Sequence, residues 1–206
     1  MRYHQLGKIP PKRHTVFQDD HGNYYYEQLF GTEGFSGISS LLYHIHRPTQ
    51  ILRVEEAIDV TPKAAIDKNV EPRLLKGFEA KPVDDFLEAK TDLFFNNDLV
   101  VGVAAPKKSM TDYFYKNGQC DELIFVHKGS GTFKSYVGDI KFVPGDYIII
   151  PRGTIYQFEF DSEENRLLYI ESFSPIETPK RYRNHYGQLL EHSPFCERDM
   201  KLPEYR

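Results

Sequence analysis

The 206-residue sequence predicts an all-β protein built around a small antiparallel barrel, and three observations predict it. From Leu93 onward, short segments rich in β-branched and aromatic residues follow one another closely. A turn signal separates each from the next, at Asn117-Gly118, Gly129-Ser130-Gly131, Gly138-Asp139, Pro144-Gly145 and Asp161 to Asn165. The run Gly145-Asp-Tyr-Ile-Ile-Ile-Pro-Arg-Gly153 then sets a four-residue apolar strand between two glycine turns. Short strands at such spacing indicate a sandwich or barrel rather than alternating strands and helices.

Along the chain, residues 1–35 combine Gly, Pro, His and Tyr with turn chemistry at Ile9-Pro10-Pro11 and Asp19 to Asn23, which reads as irregular structure and hairpins. Ile38 to Ile45 is apolar, β-prone and stopped by Pro48, and is predicted as a strand. Residues 55–90 carry Pro62, Pro72 and Pro82, which forbid a long helix. Val83 to Ala89 is the best candidate there for a short helical turn. Strands are predicted in 99–105 and near 112–116, 122–127, 131–137, 139–143, 147–150, 155–160 and 166–173. Within 122–127, Leu123, Phe125 and His127 fall on one side and Ile124 and Val126 on the other. Neither side is strongly polar, so both faces are expected to be covered. The expected organisation is one domain: an arm with first strands over 1–54, a partly helical insertion over 55–92, the barrel over 93–174 and an extension over 175–206.

Composition restricts the function classes. With 30 acidic and 26 basic residues the formal net charge is -4, which provides no field to draw in nucleic acid or an anionic membrane. No segment approaches the ~20 apolar residues of a membrane helix, and the N-terminus lacks a signal-peptide core. Cys120 and Cys196 do not form a disulfide framework or a zinc knuckle, and two thiols fit a reducing cytoplasm. A cytoplasmic protein is expected, with no nucleic-acid or membrane partner.

The segment Asp121-Glu-Leu-Ile-Phe-Val-His-Lys-Gly-Ser-Gly131, followed by Pro144-Gly-Asp and Pro151-Arg-Gly153, resembles the two signature motifs of the cupin, or jelly-roll, barrel in order, spacing and turn residues. Carried over residue by residue, the first motif's histidines fall at about Phe114 and Lys116, its glutamate at Asp121 and the second motif's histidine at Tyr156. Three of these four are poor ligands for a divalent cation, so no metal is expected in the barrel. The alternative is the pair His44 and His46, two apart on a predicted strand, with Glu33 or Glu27 completing a two-histidine, one-carboxylate set. The competing reading makes them strand-end histidines with ordinary hydrogen bonds. His14, His127, His185 and His192 lack ligand spacing. No catalytic or cofactor-binding residue is assigned.

Tyr3 to Thr15, Glu27-Gln-Leu-Phe-Gly31, Leu42-Tyr-His-Ile-His-Arg-Pro-Thr-Gln50, Asp121 to Gly131 and Tyr186-Gly-Gln-Leu-Leu-Glu-His-Ser-Pro194 together resemble the N-terminal half of bacterial homogentisate 1,2-dioxygenase. The resemblance implies an Fe(II)-dependent enzyme that opens the homogentisate ring to maleylacetoacetate in tyrosine and phenylalanine catabolism. It implies two jelly-roll halves, with the iron and the catalytic histidine in the C-terminal half, which this sequence does not include. It also implies a homo-oligomer, trimeric or hexameric. Expected partners are therefore further copies and the C-terminal half, and this segment is expected to scaffold rather than catalyse. A stand-alone, metal-free cupin that binds a small molecule or a protein is the alternative.

Overall fold

The computed structural model describes residues 16–65 and 71–204. His14 and the Ile9-Pro10-Pro11 turn lie outside the described residues. Eleven strands are formed among those described, with single 3-10 turns in place of α-helices.

The chain divides into two compact units. The first, Met1–Val60 with Pro179–Glu197, contains a hairpin of β1 (Tyr26–Glu33) and β2 (Ser36–His44). Their register sets Glu27 against Tyr43 and Gln28 against Leu42, with an irregularity between Gly31 and Glu33. Residues 51–60 run on without regular structure and leave Ile51, Leu52, Val54, Ile58 and Val60 exposed.

The second unit, Thr61–Thr178 with Arg198–Arg206, holds the nine remaining strands in two antiparallel sheets. One sheet orders β5 (Tyr115–Lys116), β10 (Ile155–Phe160), β7 (Gly131–Ser135) and β8 (Gly138–Phe142). The other orders β3 (Lys90–Phe95), β4 (Leu99–Ala104), β11 (Arg166–Ser172), β6 (Asp121–Lys128) and β9 (Tyr147–Ile150). The ladders make two open sheets rather than one closed cylinder. The alternation along β6 turns Ile124 and Val126 inward, fully buried, and leaves Leu123 and Phe125 half-buried on the other face.

Both sheets contribute to one core. Val100, Ala104, Ile124, Val126, Leu167 and Tyr169 meet Phe133, Phe142, Tyr156 and Phe158. Aromatic rings fill this interior: Phe158 lies 4.9 Å from Phe86, 5.4 Å from Phe133 and 5.7 Å from Phe142, centroid to centroid. Offset and edge-to-face pairs at these separations add to the burial of apolar surface.

The sequence reading of the turns holds at its two key glycines. Gly145 and Gly153 have φ of 96° and 81°, in the left-handed region that a side chain disfavours. The short helical turn expected at Val83 to Ala89 is present as a single turn, in which the Ala89 amide donates to the Asp85 carbonyl at 2.9 Å. Val83 ahead of it bridges Pro106, and Asp85 Oδ1 accepts from the Leu87 and Glu88 amides, capping a turn that buries Phe86 and Ala89. The turn yields at once to β3, because Lys90 is already paired with Ala104.

Candidate functional site

The most polar part of the interior lies where β3, β6, β10 and β11 converge. Glu122 and Glu171 are direct partners across the β6–β11 ladder, an arrangement of like charges that is unfavourable on its own. Lys90, at the head of β3, resolves it: its ammonium pairs with Glu171 and lies 3.8 Å from Glu122 Oε1. The same ammonium sits 4.7 Å from the Tyr169 ring centroid and 5.7 Å from that of Phe86, positions favourable for cation–π attraction.

Glu122 is 1% exposed. Its Oε2 accepts the Tyr156 hydroxyl at 2.9 Å, and its Oε1 receives no hydrogen bond among the described residues. Burial pushes the Glu122 carboxyl above the usual range, against the opposing pull of Lys90 and the Tyr156 hydrogen bond. Burial also raises the Tyr156 phenol well above its ordinary value, and the adjacent Glu122 carboxylate adds to it. The Tyr115 phenol is pushed up to about 12 and the Cys120 thiol to about 11, in both cases by burial first and then by Glu122 and Glu171. The Tyr156 phenol is a hydrogen-bond donor here, not a base.

Tyr169 donates its hydroxyl to Asp92. Gly102, opposite Tyr169 on β4, makes room for the ring: a Cβ there would stand 2.3 Å from Tyr169 Cζ and 2.4 Å from the Thr91 carbonyl oxygen.

The residues that the motif comparison singled out have other work. Asp121 is buried and accepts from the Arg152 amide at 3.1 Å, Arg152 Nε at 3.2 Å and the Ile176 amide at 2.8 Å, so it fastens the Gly153 turn and the segment that follows β11. Phe114 and Lys116 are exposed, and Tyr156 is fully buried. The inward carboxylate is the next residue, Glu122. The period-2 alternation with Ile124 and Val126 pointed to it.

His44 closes β2, where its Nε2 meets Gln28 Oε1 at 2.8 Å, and burial lowers its pKa. His46 lies beyond the end of that strand and is exposed. Glu27 accepts the Tyr43 hydroxyl at 3.0 Å. Among the described residues, no group of three or more His, Cys, Asp and Glu is placed to hold a metal ion. His127 is exposed at the end of β6 with its ring 4.4 Å from that of Phe78.

The donor set of the interior does not fit iron. It offers two carboxylates, both paired with one ammonium, and a Tyr156 phenol held protonated by burial; no imidazole takes part.

The outer face of the five-stranded sheet is apolar. One cross-strand row runs Phe94, Val101, Ile170, Leu123 and Ile149, and the next runs Val103, Leu168, Phe125 and Tyr147. Phe94, Ile149, Tyr147 and Leu168 remain exposed, at 58%, 52%, 67% and 36%. No helix among the described residues is long and apolar enough to cross a membrane.

A proposed dioxygenase of Saccharolobus solfataricus is 40% identical over 204 residues, covering 99% of this chain and 52% of the relative. The chain thus spans about half the length of that curated relative. Among solved structures, a double-stranded β-helix protein of Klebsiella pneumoniae matches 50% of this chain and 90% of its own at 15% identity and a TM-score of 0.43. A cupin-2 protein of Shewanella frigidimarina matches 40% and 78%, at 18% identity and a TM-score of 0.36. Residues 83–181 match the family described as homogentisate 1,2-dioxygenase N-terminal, the stretch that holds both sheets and the Lys90–Glu122–Glu171 cluster. Over residues 83–181 the chain is thus similar to the homogentisate 1,2-dioxygenase N-terminal family, and over nearly all of its length to a relative described as a dioxygenase.

Proposed function

We propose that the chain is the N-terminal portion of a homogentisate 1,2-dioxygenase and that it acts as a scaffold within it. The whole enzyme would use Fe(II) and dioxygen to open the homogentisate ring to maleylacetoacetate, in the cytoplasm, during tyrosine and phenylalanine breakdown. The observation that carries this reading is the relative aligned over 99% of this chain but only 52% of its own length, with a dioxygenase description.

The interior supports a structural role for this portion. Aromatic rings fill it, its motif carboxylate Asp121 is committed to Arg152 and Ile176, and its donor set does not suit iron. Iron and the residues that activate dioxygen are therefore assigned to the remaining half of the enzyme. The apolar outer rows supply the surface a scaffold needs. They are assigned to packing against that remaining half, within a homo-oligomer of trimers or paired trimers. Apolar faces of this extent mark interaction surfaces.

The test is an oxygen-uptake assay with homogentisate, run on the isolated 206-residue chain and on the chain combined with a separately expressed second half. No uptake by the chain alone and ring cleavage by the combination are expected. Turnover by the isolated chain would contradict the scaffold role. A second half fully active without this chain would contradict its need for one.

A further inference from the structure

All ten residues of 51–60 are exposed, and no turn, bend or strand occurs among them. The large apolar side chains of the stretch, Ile51, Leu52, Val54, Ile58 and Val60, are between 78% and 87% exposed. The sequence alternates with the period of a strand. Leu52, Val54, Glu56, Ile58 and Val60 share one side, and Ile51, Arg53, Glu55, Ala57 and Asp59 the other. An ion pair between Arg53 and Glu55, two residues apart, fits that extended course. Among the described residues, the backbone of 51–58 makes no hydrogen bond to other backbone. A strand-patterned run with open backbone groups and an uncovered apolar side is a template for another strand.

We propose that residues 51–60 pair antiparallel with the same segment of a second copy of this chain, about a twofold axis through Glu56. Leu52 then opposes Val60, Arg53 opposes Asp59, Val54 opposes Ile58 and Glu55 opposes Ala57, and the twofold makes each pair twice. Apolar side chains meet apolar ones, and each Arg53 meets an acid of the second copy. Neighbouring registers lose this match. A shift of one residue sets Leu52 against Asp59 and Arg53 against Ile58. An axis through Glu55 sets Arg53 against Ala57, and one through Ala57 sets Glu55 against Asp59. Charge complementarity therefore selects both the occupant and the register. The conflict that remains is Glu56 against its own copy, so Glu56 limits the strength of the contact. Ten residues a side fall short of the ~20–30 of a standard interface, so the pairing is expected to be weak and concentration-dependent. The inference rests on this segment alone and not on the proposed dioxygenase role.

The experiment is cysteine cross-linking of the 206-residue chain in a Cys196→Ser background, Cys120 being buried. Glu56→Cys places two thiols directly opposite each other, with Cα atoms about 4.5–5.5 Å apart and within disulfide reach. Arg53→Cys places its two thiols six residues apart along the ladder, about 20 Å, beyond that reach. Under mild oxidation at equal protein concentration, Glu56→Cys should yield at least about tenfold more covalent dimer than Arg53→Cys. Equal yields, or no dimer from Glu56→Cys, would overturn the proposal.

Sedimentation velocity gives a second reading without introduced cysteines. Arg53→Asp and Asp59→Arg should each weaken self-association about tenfold, because like charges then oppose each other twice, and Arg53→Asp/Asp59→Arg should restore it. Glu56→Gln should strengthen it. A double variant that associates no better than either single one, with circular dichroism unchanged, would contradict the pairing. So would a wild type that stays monomeric at every concentration.

Discussion

The Tyr156 hydroxyl donates to Glu122 Oε2 at 2.9 Å between two side chains that are 0% and 1% exposed, so a phenol occupies the motif position of a metal-binding histidine and serves a carboxylate instead. Tyr156→Phe removes one bond to a charge-bearing acceptor and leaves that oxygen buried. A loss of about 1–3 kcal/mol in urea unfolding is expected. A neutral result would show that Glu122 finds another donor.

Glu122 should impose a pH dependence on stability. Its carboxyl pKa is raised in the folded chain, chiefly by burial, so the folded state binds that proton more tightly than the unfolded state. The contribution is complete below the ordinary carboxylate value and is lost as pH rises through the raised folded value. Denaturation midpoints should fall as pH climbs through that window, and Glu122→Gln should flatten this part of the profile. An unchanged slope in the variant would assign the effect elsewhere.

Gly102 is required by close approach rather than by its backbone angle. A Cβ there would lie 2.3 Å from the Tyr169 ring and 2.4 Å from the Thr91 carbonyl oxygen, and neither neighbour is a flexible chain end. Gly102→Ala should cost about 1–3 kcal/mol, measured by thermal unfolding. A Tm equal to that of wild type would mean that β3 and Tyr169 can yield.

The outer rows should respond to charge without loss of fold. Leu168 lies at the centre of the sheet yet is 36% exposed, so Leu168→Glu should leave circular dichroism and unfolding nearly unchanged. Under the proposed function it should weaken association with a separately expressed second half, read by analytical ultracentrifugation of the mixture. Undiminished association would place the contact on another surface.

Much of the second unit was legible in the sequence because its signals are local. The glycines of the Gly145 to Gly153 run, the strands from 122 to 172 and the inward Ile124 and Val126 all follow from turn chemistry and alternation within a few residues. The cluster was not legible for the opposite reason. Lys90 and Glu171 meet across 81 residues of sequence, and Lys90 falls in a stretch that composition assigns to the insertion. Glu122 was passed over because the motif comparison pointed one residue earlier, to Asp121, whose buried carboxylate holds a turn. The end of β2 was set two residues short of His46 by local geometry that the apolar pattern of 38–45 does not encode.

The central claim of the proposed function is that this chain holds no iron. Anaerobic dialysis of the 206-residue chain against excess Fe(II), followed by metal quantification per chain, tests it most directly. The account predicts far less than one iron retained per chain after desalting, whereas one tightly held iron per chain would contradict it.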